Sequence, residues 1–260
     1  MNSLLKDTSV PQGKCLRIEI GTLIVWIYNA ETEWMAAYEY REEVAGGLFC
    51  QLLDEWPEDK DWQRRMTAAD SDIIIFEPAM PDRPVVVRPE HPLHIPKGYV
   101  VQFFVGIPYN LRIFTSGEKK VKIFEKPTVT LSNIWFGEME TGELAYSLNS
   151  AVRSNWEALG DTPYKAICPV ELYNRSDEDL EFKRASLQVK HLAVYGGKKN
   201  FWTNKINIKY VGGERFSDIS ITKDPPRFED GLSKVCPPEE KLEANKVINT
   251  FRSLTHLPWF

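Results

Sequence analysis

The stretch 131–153 holds the chain's densest group of side chains that could do chemistry. Among its residues, two aromatic rings, two carboxylates and one guanidinium could share a site, namely those of Trp135, Tyr146, Glu138, Glu143 and Arg153. Aromatic walls with a few polar groups form shallow ligand pockets, and a guanidinium can hold an anion. Two carboxylates held close together could also serve as acid and base. The same residues also fit a hairpin whose glycines make the turn and whose aromatic rings fill the core. We favour this second interpretation, because Trp and Phe are usually buried for packing.

A second candidate is the segment Glu90-His91-Pro92-Leu93-His94-Ile95-Pro96. Its prolines favour an extended backbone with about three residues per turn, which could place both imidazoles on one side. Together with Glu90, His91 and His94 could then form a two-histidine, one-carboxylate metal site. The alternative, which we favour, is a proline-rich connection with exposed or hydrogen-bonded imidazoles. We therefore predict neither a metal nor another cofactor.

A third candidate is a local mixture of basic and aromatic residues near position 200. Its members are Lys198, Lys199, Phe201, Trp202, Lys205, Lys209 and Tyr210. Such a patch could stack on bases and contact phosphates, but it also fits a hairpin whose lysines protect a sheet edge. The chain has 32 Lys and Arg against 37 Asp and Glu, a net charge of −5. Since this charge gives no general attraction to phosphate backbones, we predict no nucleic-acid partner.

Sequence signatures of common enzyme classes are missing. The chain has no glycine-rich phosphate loop, no GxSxG motif and no HExxH motif. Strands do not alternate with helices as in doubly wound enzymes. The chain is therefore predicted to be a binding or interaction module without catalytic activity. The alternative is a hydrolase-like enzyme acting on a polar small molecule or carbohydrate, using Glu138 and Glu143 near Trp135.

The elements that must position these residues are mostly strands. Short β-branched and aromatic runs recur every 8–12 residues between prolines and glycines, which is typical of sandwiches and barrels. The predicted fold is mainly β, with two antiparallel β-sandwich-like domains and a C-terminal α-helix. The predicted division is 1–127 for an N-terminal β domain, 128–224 for a C-terminal sandwich, and 225–260 for an arm and helix.

The C-terminal residues carry the one clear helical pattern. Residues 239–254 place Ala244, Val247, Ile248, Phe251 and Leu254 on one apolar stripe, and two glutamates stand at the expected N-terminus. The final residues, 257–260, read Leu-Pro-Trp-Phe, which is too apolar to be left in water. We expect this tail to contact the body, a second copy in a homodimer, or another protein partner.

The positions of the cysteines and the hydropathy of the chain indicate its cellular location. Cys15, Cys50, Cys168 and Cys236 are far apart, and none belongs to a CxxC pair. The first residues lack the apolar stretch of a signal peptide, and no apolar run approaches the ~20 residues that span a bilayer. These features predict a cytoplasmic protein with reduced cysteines and no membrane insertion.

The phrase LSNIWFGEMETGELAYSL, which begins at Leu131, resembles domain-of-unknown-function family 432. Members of that family carry a similar W-F-G and G-E-L-x-Y-x-L core. The stretch from Gly21 to Trp26 followed by Glu33-Trp34 is similar to its opening. The V-R-P-x-x-P and I-P-K-G elements within 85–105 are similar to its middle. The resemblance spans roughly residues 15–225; it implies a prokaryotic soluble protein and no established activity.

Overall fold

The chain folds as a set of β-sheets in the computed structural model, which describes residues 7–30, 32–66, 71–117, 119–137, 139–140, 142–148, 152–160, 162–212 and 218–241. Two short 3-10 helices, Trp156–Leu159 and Val189–His191, occur between the strands. The strands, in chain order, are β1 (Thr8–Ser9), β2 (Cys15–Asn29), β3 (Glu33–Leu53), β4 (Gln63–Met66), β5 (Ile73–Ala79), β6 (Val85–Val87), β7 (Leu93–Ile95), β8 (Val100–Pro108), β9 (Asn110–Thr115), β10 (Val121–Pro127), β11 (Ser132–Phe136), β12 (Glu143–Leu148), β13 (Lys165–Asn174), β14 (Leu180–Phe182), β15 (Ala185–Leu187), β16 (Val194–Gly196), β17 (Phe201–Thr203), β18 (Ile206–Tyr210), β19 (Asp218–Ile221) and β20 (Ser233–Cys236). The prediction of a mainly β protein is confirmed.

Five sheets account for the described strands. The largest contains β19, β18, β13, β17, β16 and β20 in that order, with β8 also paired to β13. A second, which we call the site sheet, has the order β11, β12, β6 and β15. The others are β1-β5-β9-β10, β2-β3-β4 and β14-β7. Pairing is mostly antiparallel, but β12 runs parallel to β6, and β13 runs parallel to β17 and β18.

The junction at Pro127 is buried between strands from several parts of the chain. The backbone N–H of Thr128 donates to the Tyr109 carbonyl, and its own carbonyl accepts from the N–H of Thr22 at 3.0 Å. A Cβ at Gly21, whose φ is +59°, would overlap this Thr128 carbonyl, so only glycine fits there. β2 continues through Gly21, and its register with β3 shifts on both sides of this residue.

The predicted division at 127 stays a prediction, but the two parts share main-chain hydrogen bonds. β8 pairs with β13 over nine positions, from Lys165 opposite Pro108 to Tyr173 opposite Val100. β6 lies between β12 and β15, and β7 pairs with β14. Strands from before and after Pro127 therefore complete the same sheets.

The predicted C-terminal α-helix is not supported. The described residues contain no α-helix, and positions 242–254 of the predicted element lie outside them, as does the tail 257–260. Glu239, expected to begin the helix, forms an ion pair with Arg112 on β9. The backbone N–H of Glu240 donates to the Lys190 carbonyl at 3.1 Å. The start of the predicted helix is therefore held by neighbouring elements in a non-helical conformation.

One large apolar core joins most of the sheets. It includes residues from the long hairpin, the largest sheet and the site sheet, such as Ile18, Trp34, Val85, Val105 and Leu187. Val85, Val87 and Leu187 come from the site sheet, so one of its faces is anchored on this core. No helix in the part of the chain that the structure describes is long and apolar enough to cross a membrane.

Candidate functional site

The hairpin of β11 and β12 lies at one edge of the site sheet and contains most of the sequence-predicted site. Its register pairs Asn133 with Tyr146, Trp135 with Leu144, and Phe136 with Glu143. Because successive side chains of a strand point to opposite faces, Trp135 and Tyr146 share one face, while Phe136 and Glu143 share the other. The pairing confirms a hairpin in this stretch, but the expectation that its aromatic rings fill the core holds for Phe136 and is wrong for Trp135, which is exposed.

The Trp135 face of the hairpin is open to water at its outer end. The Trp135 side chain is 51% exposed and its cross-strand neighbour Leu144 is 43% exposed. Met139, in the connection between the strands, is 91% exposed. Large apolar side chains that cluster at a surface commonly mark a place where a partner docks.

Polar residues border this open face on the side of the core. The Tyr146 hydroxyl donates to Asp82 at 2.9 Å, and the Arg83 guanidinium lies 5.5 Å from the Tyr146 ring centroid. Arg83 also donates to Asn133 at 2.8 Å. Partial burial, and then the bond to Asp82, raise the pKa of the Tyr146 phenol. Tyr146 is thereby fixed as a neutral, oriented side chain beside the exposed tryptophan.

Sequence reasoning missed Asp82 and Arg83. They lie in the connection before β6, which pairs in parallel with β12 and so brings them to Tyr146. A Pro-Asp-Arg-Pro run between two strands carries no signal beyond that of a turn.

The opposite face of the hairpin is closed around Phe136. Phe136, Val86 and Ala145 form a buried apolar cluster, and Arg184 lies over the Phe136 ring at 5.5 Å from its centroid. Glu143 accepts hydrogen bonds from the Ser186 hydroxyl and the Gln188 amide, each at 3.0 Å. Its carboxylate is thus held on the face away from Trp135.

The remaining two residues of the predicted pocket are not brought to Trp135. Arg153 forms an isolated bridge with Phe104 of β8, and its guanidinium contacts Glu90 at 3.3 Å. The hydrogen bond and charge of Arg153 hold the pKa of Glu90 below its usual value. Glu138 lies outside the described residues. The structure therefore joins Trp135 with Tyr146 and separates both from Glu143.

The histidine segment forms a short strand instead of a ligand set. His94 lies in β7 opposite Glu181 of β14, and both His91 and His94 are exposed. Among the described residues, no group of three His, Cys, Asp or Glu side chains could hold a metal ion. Glu90, the third ligand of the alternative metal site, forms an ion pair with Arg153.

Two aromatic residues of the basic–aromatic stretch, Phe201 and Trp202, are buried, and Tyr210 is half-buried. Trp202 is fully buried and stacks on Phe228 at 5.6 Å between ring centroids. Its indole N–H donates to Glu229 at 2.8 Å, and the backbone N–H groups of Lys198 and Lys199 donate to the same carboxylate. Because Trp202 faces the interior and its indole N–H is bonded to Glu229, this ring is not available to stack on bases.

Comparison with known proteins identifies a family, and the description of that family names no activity. The family model described as a protein of unknown function (DUF432) matches residues 6–254. No curated protein and no solved structure matches the chain.

Proposed function

Since the chain belongs to the DUF432 family, described as a protein of unknown function, we propose its role from the site itself. We propose that it is a protein-binding module without catalytic activity, and that the exposed face of the β11–β12 hairpin binds the partner. The surface centres on Trp135 and Leu144, with exposed Met139 in the adjoining connection and Tyr146 at the polar border. The partner's matching surface is apolar, because only such a surface gains free energy by covering these side chains.

The observation that carries the proposal is the exposed cross-strand pair of Trp135 and Leu144. Both side chains project from a hairpin whose opposite face is buried at Phe136 and Ala145, so the backbone beneath them is anchored. An apolar centre with a polar rim is the usual arrangement of a protein interface. Tryptophan is also enriched among residues that contribute most to binding.

The arrangement of the carboxylates supports binding over the hydrolase alternative. A ligand stacked on Trp135 would lie on the face opposite to Glu143. Glu143 already accepts hydrogen bonds from Ser186 and Gln188, which orient it toward β15. An acid–base pair acting on such a ligand would need Glu143 on the other side of the sheet.

Site-specific photocrosslinking in cells tests the proposal. A photoreactive phenylalanine analogue is placed at Trp135 and, as a matched control, at exposed Lys209 on β18. We expect one discrete protein adduct from position 135, absent from position 209, and lost when Leu144→Lys is added. The same adducts from both positions, or an adduct that survives Leu144→Lys, would contradict the proposal.

A hydrolase screen separates the two functional classes. If purified protein turns over a polar or carbohydrate substrate and Glu143→Gln abolishes that turnover, the enzyme alternative replaces the binding proposal. We expect no turnover that depends on Glu143.

Two further parts of the proposal rest on composition. We propose a cytoplasmic setting, supported by four cysteines that are all free thiols. We also propose that the apolar tail 257–260 contacts a second copy or a protein partner. Truncation after Leu254 should lower the mass measured by light scattering or the melting temperature, and unchanged values of both would remove the tail from any interface.

A further inference from the structure

Two arginines face each other at the ends of neighbouring strands of the site sheet. Arg88 directly follows β6 and Arg184 directly precedes β15, and the adjoining residues Val87 and Ala185 are paired. Like charges opposite each other on neighbouring strands destabilise a sheet. Burial, and then the charge of Arg88, lower the pKa of Arg184. The two guanidinium groups therefore repel each other.

No carboxylate neutralises this pair in the part of the chain that the structure describes. Neighbouring charged residues have other partners: Lys183 pairs with Glu181, and Glu90 pairs with Arg153. Glu143, on the same face, is held by Ser186 and Gln188. The pair is thus a local concentration of positive charge on a chain whose net charge is −5.

The position of Arg184 is fixed by an aromatic ring. Its guanidinium lies over Phe136 at 5.5 Å from the ring centroid, and the Phe136 side chain is 6% exposed. A guanidinium held against an aromatic face keeps its outer N–H groups available for another partner. Arg88 is exposed and Arg184 is partly exposed, so solvent reaches both side chains.

We propose that Arg88 and Arg184 form a binding site for a phosphate group, carried by a small molecule or present as free phosphate. A phosphate monoester carries a charge of about −1.5 to −2 at pH 7, which matches two guanidinium groups, whereas a carboxylate carries only one charge. Arginine also binds phosphate through two parallel hydrogen bonds. The site lies on the face opposite to Trp135, so it is independent of the proposed protein-binding surface.

Isothermal titration calorimetry with inorganic phosphate on the full chain tests the site. Ionic strength is held constant with chloride, and acetate replaces phosphate in a parallel titration. We expect phosphate to bind the wild-type protein and acetate to give no measurable heat. Arg88→Gln should weaken phosphate binding about tenfold, since one charge-assisted contact is lost. Because Arg88 is exposed, this variant should keep the wild-type circular dichroism spectrum.

A second variant and a matched control test whether phosphate binding depends on these two arginines in particular. Arg184→Lys preserves the charge but removes the planar fork, and should also weaken phosphate binding. Arg175, whose guanidinium lies 5.9 Å from the Tyr173 ring centroid on another sheet, is the control, and Arg175→Gln should leave binding unchanged. Equal binding by wild type and Arg88→Gln, equal loss in Arg175→Gln, or acetate binding as tight as phosphate would overturn the assignment.

Discussion

Replacing Glu229 by Gln tests how the arm after β19 is attached to the largest sheet. The Glu229 carboxylate accepts hydrogen bonds from the Trp202 indole at 2.8 Å, from the Lys199 N–H at 3.1 Å and from the Lys198 N–H. A Cβ at Gly197 would overlap the same carboxylate, so the turn is shaped around it. Phe228, the preceding residue, stacks on Trp202.

The expected cost follows from these bonds. A hydrogen bond to a charged group contributes about 1.5–3 kcal/mol, and glutamine keeps one acceptor oxygen but presents an amide to a donor. We therefore expect Glu229→Gln to lower the free energy of unfolding by about 2 kcal/mol at pH 7. For a chain of this size that corresponds to a melting temperature lower by roughly 5 °C.

The effect should depend on pH with a defined sign. Burial of Glu229 acts to raise its pKa, but the hydrogen bonds from Trp202, Lys199 and Lys198 outweigh burial and lower it below 4.5. A lowered folded-state pKa stabilises the protein above the unfolded-state value, and this stabilisation is lost as pH falls through the folded-state value. The difference between wild type and Glu229→Gln should therefore be full at pH 7 and shrink below about pH 4.5.

Urea denaturation followed by tryptophan fluorescence at pH 7 and at several values below 4.5 measures this difference. Asp230→Asn is the matched control, because it removes an adjacent exposed carboxylate, and it should change the unfolding free energy by less than about 0.5 kcal/mol. A Glu229 effect below that level, or one that is constant with pH, would refute the role assigned to the carboxylate.

Three further predictions concern stability and reactivity. Phe136→Ala should lower the free energy of unfolding by about 3–5 kcal/mol, because this side chain is buried. Leu144→Lys should lower it by less than about 1 kcal/mol, because that side chain is exposed. Similar urea midpoints for the two variants would contradict the faces assigned to these residues. Gly21→Ala should cost about 2 kcal/mol or more, since it forces a positive φ and overlaps the Thr128 carbonyl, and an unchanged urea midpoint would argue against that close approach. Ellman's reagent should modify only Cys50 in the native protein and four thiols after denaturation, because Cys50 is exposed and the other three are buried. Desolvation raises the pKa of Cys50 as well as those of Cys15, Cys168 and Cys236, which reach about 12, so exposure is what separates Cys50 from the others. A second native thiol that reacts as fast as Cys50 would contradict this burial.

The local pattern was sufficient to predict strands and one hairpin. Alternating apolar residues and closely spaced prolines and glycines indicated a mainly β chain, and Gly137 and Gly142 indicated a turn near β11 and β12. The predicted helix of 239–254 is not supported, and only its first three positions, 239–241, lie within the described residues. There the pairing of Glu239 with Arg112, a contact made through the fold, opposes the local preference for a helix start.

The structure brings Trp135 and Tyr146 of the predicted pocket to one face of the hairpin, but this geometry could not be read from the chain. Whether Glu143 shares a face with Trp135 depends on the register of the hairpin, which follows from the conformation of its connection. A shift of one residue would move Glu143 to the other face, because side chains alternate along a strand. Nothing in the spacing of the two residues distinguishes these registers.

By itself, the sequence determined that the chain forms strands, that aromatic and charged residues cluster within 131–153, and that common catalytic motifs are missing. Only the tertiary structure decided that Trp135 is exposed, that Arg153 contacts Glu90, and that Arg88 lies opposite Arg184. The physical reason is sequence distance. Strand formation depends on neighbours one or two positions away, whereas these contacts join residues that only the pairing of distant strands brings together.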